Sequence, residues 1–358
     1  MNTVYSDSDL KNKELQNCSF IKAIIMLIIV MNHCICIYAL SNRGGWLPIP
    51  PHGKPPLVFE LLNTWFASFM NSTFVMVSGY IYYAMKFERG KYQKYWPFIA
   101  NKVKRLIVPT IFISVVWIIP ICVYALEFTT PEIINSFALG IFPRQLWFLL
   151  MLFWVFVIFA IIDKIINKHF VLGALLVCGC YLFGKFGAKL TDGINYYRIF
   201  DGFQYIFFFW VGFCLRKYGI QYLIRMPVII YLAFNIGTIT LSRLIDNIEL
   251  PHMLDTIKNI VIPPLVQLVG AMMAFVVLQK VLIKFKQGNK ALDFFAKHSF
   301  TVFLVHEQLI YLAVIWYEGK ISPYLFPIVT FAWVLPVSIG ASLLLEKTRI
   351  TRFLIGMK

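Results

Sequence analysis

Long apolar runs separated by short polar stretches set the pattern of this chain. Ten such runs lie at about 19–40, 57–85, 106–126, 145–162, 170–184, 200–215, 227–242, 260–279, 298–317 and 324–345. A helix that crosses a bilayer needs about 20 predominantly apolar residues, so the runs predict ten transmembrane helices. The fifth and sixth are short and carry glycine. A membrane β-barrel would instead show segments of about ten residues with alternating polarity. No repeat, linker or low-complexity tract divides the runs, and the connections are too short to hold a separate soluble catalytic domain. The predicted fold class is therefore all-α, a polytopic transmembrane helical bundle of about 10 spans.

Composition agrees: 59% of residues are hydrophobic and 14% charged, with a mean hydropathy of +0.74, which no soluble domain of this size shows. The first run is too long for the apolar core of a signal peptide and is read as an uncleaved span. Met1 to Asn17 reads as a short disordered tail.

Charge adds orientation. The net charge is +16, from 33 Lys and Arg against 17 Asp and Glu. With the N-terminus in the cytoplasm, 23 of these basic residues fall in the tails and cytoplasmic loops and 9 in the outer loops, while Lys22 lies inside the first span. Basic residues concentrate on the cytoplasmic side of membrane proteins, so the asymmetry predicts that both termini are cytoplasmic. The basic excess is thus a topology signal and attracts anionic lipid headgroups; no nucleic-acid partner is expected. The seven cysteines (18, 34, 36, 122, 178, 180 and 214) lie in or beside apolar runs with no C-x-x-C pair. They read as small hydrophobes, and no metal site is expected.

Candidate chemistry begins with the ionisable residues inside these runs. Lys22 and His33 are eleven residues apart in the first span. Eleven residues make about three helical turns, which puts both on one face with His33 roughly 16 Å further along. An ionisable side chain at that depth in lipid is costly and marks a functional site by default. Neutral imidazole suits general-base removal of a hydroxyl proton. The alternatives are a helix-packing histidine and a snorkelling lysine.

Four further segments stand out. Asn101-Lys-Val-Lys-Arg-Leu-Ile-Val-Pro109 places Lys102 and Arg105 three apart at the cytoplasmic side, either as a topology anchor or as a grip for phosphate. Thr73-Phe-Val-Met-Val-Ser-Gly-Tyr80 holds Ser78-Gly79, a small-residue packing site or a source of an oxyanion donor. Arg144-Gln-Leu-Trp-Phe-Leu149 opens the fourth span, with Trp147 as an interfacial anchor. Ser299-Phe-Thr-Val-Phe-Leu-Val-His-Glu307 puts His306 and Glu307 inside the ninth span, where each can pair with a neighbouring helix or orient a substrate.

Lys22-x10-His33, FVMVSGY, NKVKRLIVP, QLWFL, FFFWVGFCLRK (207–217) and SFTVFLVH occur in the order seen in the acyltransferase 3 family, which the chain resembles over nearly its whole length. The resemblance implies an acyltransferase 3-like transmembrane domain over 19–345, flanked by cytoplasmic tails at 1–18 and 346–358. It implies an integral membrane enzyme that transfers an acyl group, most often acetyl, from acetyl-CoA or another acyl-CoA to a sugar hydroxyl of a cell-surface polysaccharide or lipid-linked glycan. It places such an enzyme in the bacterial cytoplasmic membrane. Carried over residue by residue, it makes His33 catalytic with Lys22 as its cationic partner. It also makes Lys102 and Arg105 the family's paired basic residues, with Lys102 in place of the more usual arginine, and gives the late-span histidine as His306. The phosphates of the acyl-CoA are then expected near Lys22, Lys102 and Arg105. Some members append an extracytoplasmic hydrolase-like domain, so a separate extracytoplasmic partner protein is an expectation. The rival reading is a transporter or flippase for a glycan or lipid-linked sugar, which also keeps ionisable residues at mid-membrane, although no inverted repeat is visible.

Overall fold

A computed structural model describes residues 7–39, 56–284 and 289–357. Among these the chain is helical and contains no strand. The main helices are α1 (Asp7–Ala39), α2 (Leu57–Ala67), α3 (Met70–Tyr83), α4 (Tyr95–Leu126), α5 (Trp147–Lys168), α6 (Phe170–Phe186), α7 (Ile199–Tyr218), α8 (Val228–Asp246), α9 (His252–Lys284), α10 (Lys290–Tyr317) and α11 (Phe326–Leu345). Nine of them, α1 and α4 to α11, are long and apolar enough to cross a membrane. The predicted second span is present as two helices. It breaks at Ser68, whose hydroxyl folds back on the Trp65 carbonyl at 2.6 Å and accepts from Asn235 at 3.2 Å. Such a break is tolerated at membrane depth where protein groups satisfy the exposed backbone.

The chain divides into two compact units. The first comprises, among described residues, 7–28, 64–91 and 208–297. Its helices meet at glycines. A Cβ on Gly79 would stand 1.9 Å from the Phe209 carbonyl oxygen, and one on Gly212 would stand 1.8 Å from that of Met76, so α3 and α7 touch backbone to backbone. Small residues that permit such approach drive helix association in lipid, where the hydrophobic effect between helices is absent.

The start of α1 belongs to this unit. Residues within the predicted tail are helical from Asp7, and Glu14 and Asn17 are buried. The reason is a set of polar ties. Tyr80 donates to the Glu14 carboxylate at 2.6 Å, Asn17 donates to Gln279 at 3.1 Å, and Gln279 donates to the Glu14 carbonyl at 2.9 Å. Arg216, from the LRK end of α7, grips Glu88 through two nitrogens at 2.8 and 2.7 Å. Glu14 and Asn17, whose polarity helps this stretch look like a tail, are met by these partners.

The second unit comprises, among described residues, 29–39, 56–63, 92–207 and 298–357. α10 is its most enclosed element, with 72% of its most apolar stretch buried. Val30 and Cys34 of α1, Val302, Leu309 and Ile310 of α10 and Val334 of α11 form one apolar core. Polar side chains reach the α10 backbone from neighbouring segments: Trp117 donates to the Val305 carbonyl at 3.1 Å and Gln145 to that of Leu304 at 3.0 Å. Gln145 and Gln308 also exchange reciprocal amide bonds at 2.7 and 3.0 Å.

Candidate active site

The second unit brings His33 and His306 together. His33 Nδ1 lies 2.8 Å from His306 Nε2, and the rings stack with centroids 5.0 Å apart and planes 16° apart. His306 is fully buried, and its Nδ1 faces two backbone carbonyls, Val302 at 3.1 Å and Phe303 at 2.8 Å. Carbonyl oxygens only accept, so His306 Nδ1 carries the proton. In the neutral ring Nε2 is then an acceptor, and the proton between the two rings belongs to His33 Nδ1. That assignment, inferred from the network, leaves His33 Nε2 as the unprotonated, basic nitrogen. α10 thus selects the tautomer of a histidine on α1, the service that an orienting group performs for a general base.

His33 lines a cavity of about 260 Å³ together with Arg144, Gln145, Trp147, Arg198 and Glu307. Glu307, next to His306 in sequence, is buried and accepts from the Tyr311 hydroxyl one turn on. The rim is built from two segments stitched to each other. Tyr197 N–H donates to the Leu139 carbonyl at 3.1 Å, Tyr197 hydroxyl to that of Ala138 at 2.8 Å and Arg198 to that of Ile141 at 3.0 Å. Arg144, Tyr197 and Arg198 all have left-handed backbones, with φ of +50°, +48° and +58°. Such conformations are unfavourable for side-chain-bearing residues and cluster at functional sites.

The remaining sequence candidates sit elsewhere in their units. Lys22 donates to Ser78 Oγ at 3.0 Å and lies 4.8 Å from the centre of the Phe74 ring, while Ser78 donates its own proton to the Phe74 carbonyl at 2.9 Å. Gly79 is occupied by the helix contact with Phe209. Lys102 is half-buried on aromatic faces, 3.5 Å from the Phe156 centroid and 5.1 Å from that of Phe98. Arg105 is exposed. A widened π-helical turn, Val103–Ile107, starts directly after Lys102 and contains Arg105, which interrupts the 3.6-residue phase on which a shared face rests. Among the described residues no three His, Cys, Asp or Glu side chains converge as metal ligands.

Sequence reasoning singled out His33, His306 and Glu307. It treated Arg144 only as the start of a span and passed over Arg198, whose sole signal was its position just before an apolar run.

A family model for an acyltransferase domain matches residues 17–347. The chain belongs to the acyltransferase 3 family. It is a membrane acyltransferase whose multiple apolar helices make it a multi-pass protein. No curated protein and no solved structure matches it. The matched range contains the histidine pair and every residue named on the cavity wall, so the acyltransferase domain carries the whole candidate site.

Proposed function

We propose that this acyltransferase moves an acetyl group from acetyl-CoA, or a related acyl-CoA, to a sugar hydroxyl of a cell-surface polysaccharide or lipid-linked glycan, in a bacterial cytoplasmic membrane. The observation that carries the reading is the histidine pair, whose tautomers leave His33 Nε2 basic on a wall of the cavity. The sugar hydroxyl gives its proton to His33 Nε2 as its oxygen attacks the thioester carbonyl. The carbon–sulfur bond then breaks, and the proton returns from His33 to the departing thiolate to give free CoA and the O-acyl ester. His306 holds the His33 ring and takes no proton itself, since its Nδ1–H stays on the carbonyls of α10. In this reading the exposed Arg105 guanidinium and the Lys102 ammonium receive donor phosphates, for which a planar guanidinium is well shaped.

The test uses the full chain in nanodiscs with radiolabelled acetyl-CoA and a membrane glycolipid extract. Wild type is expected to label glycolipid and release thiol. His33→Ala is expected to lower transfer by about 10²–10⁴-fold, the usual contribution of a general base, at unchanged protein level. His306→Phe is expected to lower kcat and leave KM for acetyl-CoA unchanged. Full activity of His33→Ala would overturn the assignment.

A further inference from the structure

The cavity beside the histidine pair is lined by two arginines and one carboxylate, and their partners differ. Glu307 is satisfied within the protein by the Tyr311 hydroxyl and the Gln145 backbone N–H. Arg198 is held by Asp201 at 2.5 Å and by the Ile141 carbonyl, with its guanidinium 5.7 Å from the Trp147 ring centre. Arg144 rests on ring faces, 4.8 Å from the centre of Phe128 and 5.9 Å from that of Tyr311, with the Cys122 thiol in hydrogen-bonding reach of its guanidinium and the Glu307 carboxylate in electrostatic reach. Its Nε is buried and has no hydrogen-bond partner among the described residues. Arg198 Nε also lacks a hydrogen bond but has the Asp201 carboxylate against it, and Arg144 has no such ion pair among the described residues. A guanidinium bedded on aromatic rings keeps its fork of donors aligned, and an unmet buried donor costs free energy that a ligand can recover. The left-handed backbone at Arg144 adds strain at the same residue.

We infer that the acceptor glycan carries an anionic group, a carboxylate or a phosphate, and that Arg144 is its anchor on the cavity wall, with Arg198 adding positive potential. The inference rests on the acyltransferase reading above and names the acceptor class for it. Three observations assign this anchor to the acceptor. Arg144 and Arg198 lie in connections that the charge asymmetry places outside, opposite the side from which acyl-CoA arrives. At about 260 Å³ the cavity falls below the ~300–1,000 Å³ of drug-sized sites, a size that suits one sugar residue beside the acyl end of the donor rather than the donor's nucleotide. Trp147 and the exposed Phe142 supply apolar faces on which a sugar ring can stack beside the guanidinium.

The test measures binding of three probes to the full chain in nanodiscs by saturation-transfer NMR: glucuronic acid, glucose 1-phosphate and glucose. Wild type is expected to bind at least one anionic sugar at least tenfold more tightly than glucose, and which one binds separates a carboxylate from a phosphate acceptor. Arg144→Gln is expected to remove that preference and leave glucose binding unchanged, and Arg144→Lys to restore part of it. Size-exclusion profiles of both variants check folding. Equal binding of all three sugars by wild type, or full anion preference in Arg144→Gln, would overturn the proposal. Displacement of the bound anionic sugar by CoA would also overturn it, since Arg144 would then belong to the donor. Thiol release from acetyl-CoA is followed on the same samples. Its absence with anion preference intact would break the acyltransferase chemistry and leave the anchor standing, whereas thiol release without anion preference would do the reverse.

Discussion

Arg216 in the first unit and Arg144 in the second are the same residue type on the same kind of bed, and they differ in their hydrogen bonds. The Arg216 guanidinium lies 5.2 Å from the centre of the Tyr80 ring, and each of its nitrogens is engaged: Nε and Nη2 by Glu88, Nη1 by the Lys11 carbonyl and the Tyr80 hydroxyl. Arg144 also lies over aromatic rings, but its buried Nε has no hydrogen-bond partner among the described residues, and the side chain borders a cavity with His33 and Glu307. A buried charge whose donors are all met within the protein holds helices together. One with a donor left over, next to a histidine pair, is arranged for something that arrives later. Charge and an aromatic bed alone do not separate the two residues, and their burial differs, Arg216 being buried and Arg144 half-buried.

The largest effect that sharpens this contrast is expected from Arg216→Leu. It would leave Glu14 buried without its counter-charge, and removing one partner of a buried ion pair costs about 3–5 kcal/mol. Thermal unfolding in nanodiscs should show a clear fall in Tm, while transfer per folded molecule at low temperature stays near wild type. A loss of transfer with unchanged Tm would break the comparison by placing Arg216 in the chemistry.

Glycine contacts divide in the same way and give a smaller effect. Gly79→Ala puts a methyl group against the Phe209 carbonyl, and overpacking of this kind costs about 1–3 kcal/mol. Beyond its chain neighbours and the adjoining backbone of its own helix, Gly179 on α6 has no atom within 4 Å of where its Cβ would stand, so Gly179→Ala should stabilise by roughly 0.5–1 kcal/mol through helix propensity. Equal Tm shifts for the two variants would contradict the backbone contact between α3 and α7.

Apolar length made the spans legible, and the ionisable residues inside them made His33 and His306 legible as candidates. Their contact was not, because spacing within one helix says nothing about which residue another helix presents. The break at Ser68 was hidden since its causes, a back-bonded hydroxyl and the Asn235 amide, come from local geometry and a distant segment. The helical start of α1 was hidden for a related reason: Glu14, Asn17 and Gln16 look like a solvated tail until Tyr80, Arg216 and Gln279 are placed around the first two. Arg198 carried only its place before an apolar run, since the stitching of 138–141 to 197–198 is what brings it to the cavity wall.

The smallest effect concerns polar groups at the site itself. Gln145 and Gln308 are both buried and satisfy each other, and Gln145 also borders the cavity. If the pair is structural, Gln145→Leu strands the Gln308 amide and costs about 1–3 kcal/mol, whereas Gln145→Leu with Gln308→Leu removes both partners and approaches neutrality. If Gln145 instead touches substrate, the double variant regains its Tm but not its transfer rate. Unfolding midpoints and rates on the two variants therefore tell a wall of the cavity from a working part of it. Recovery of both quantities in the double variant would confine the polar chemistry of this site to His33, His306, Glu307 and the arginines.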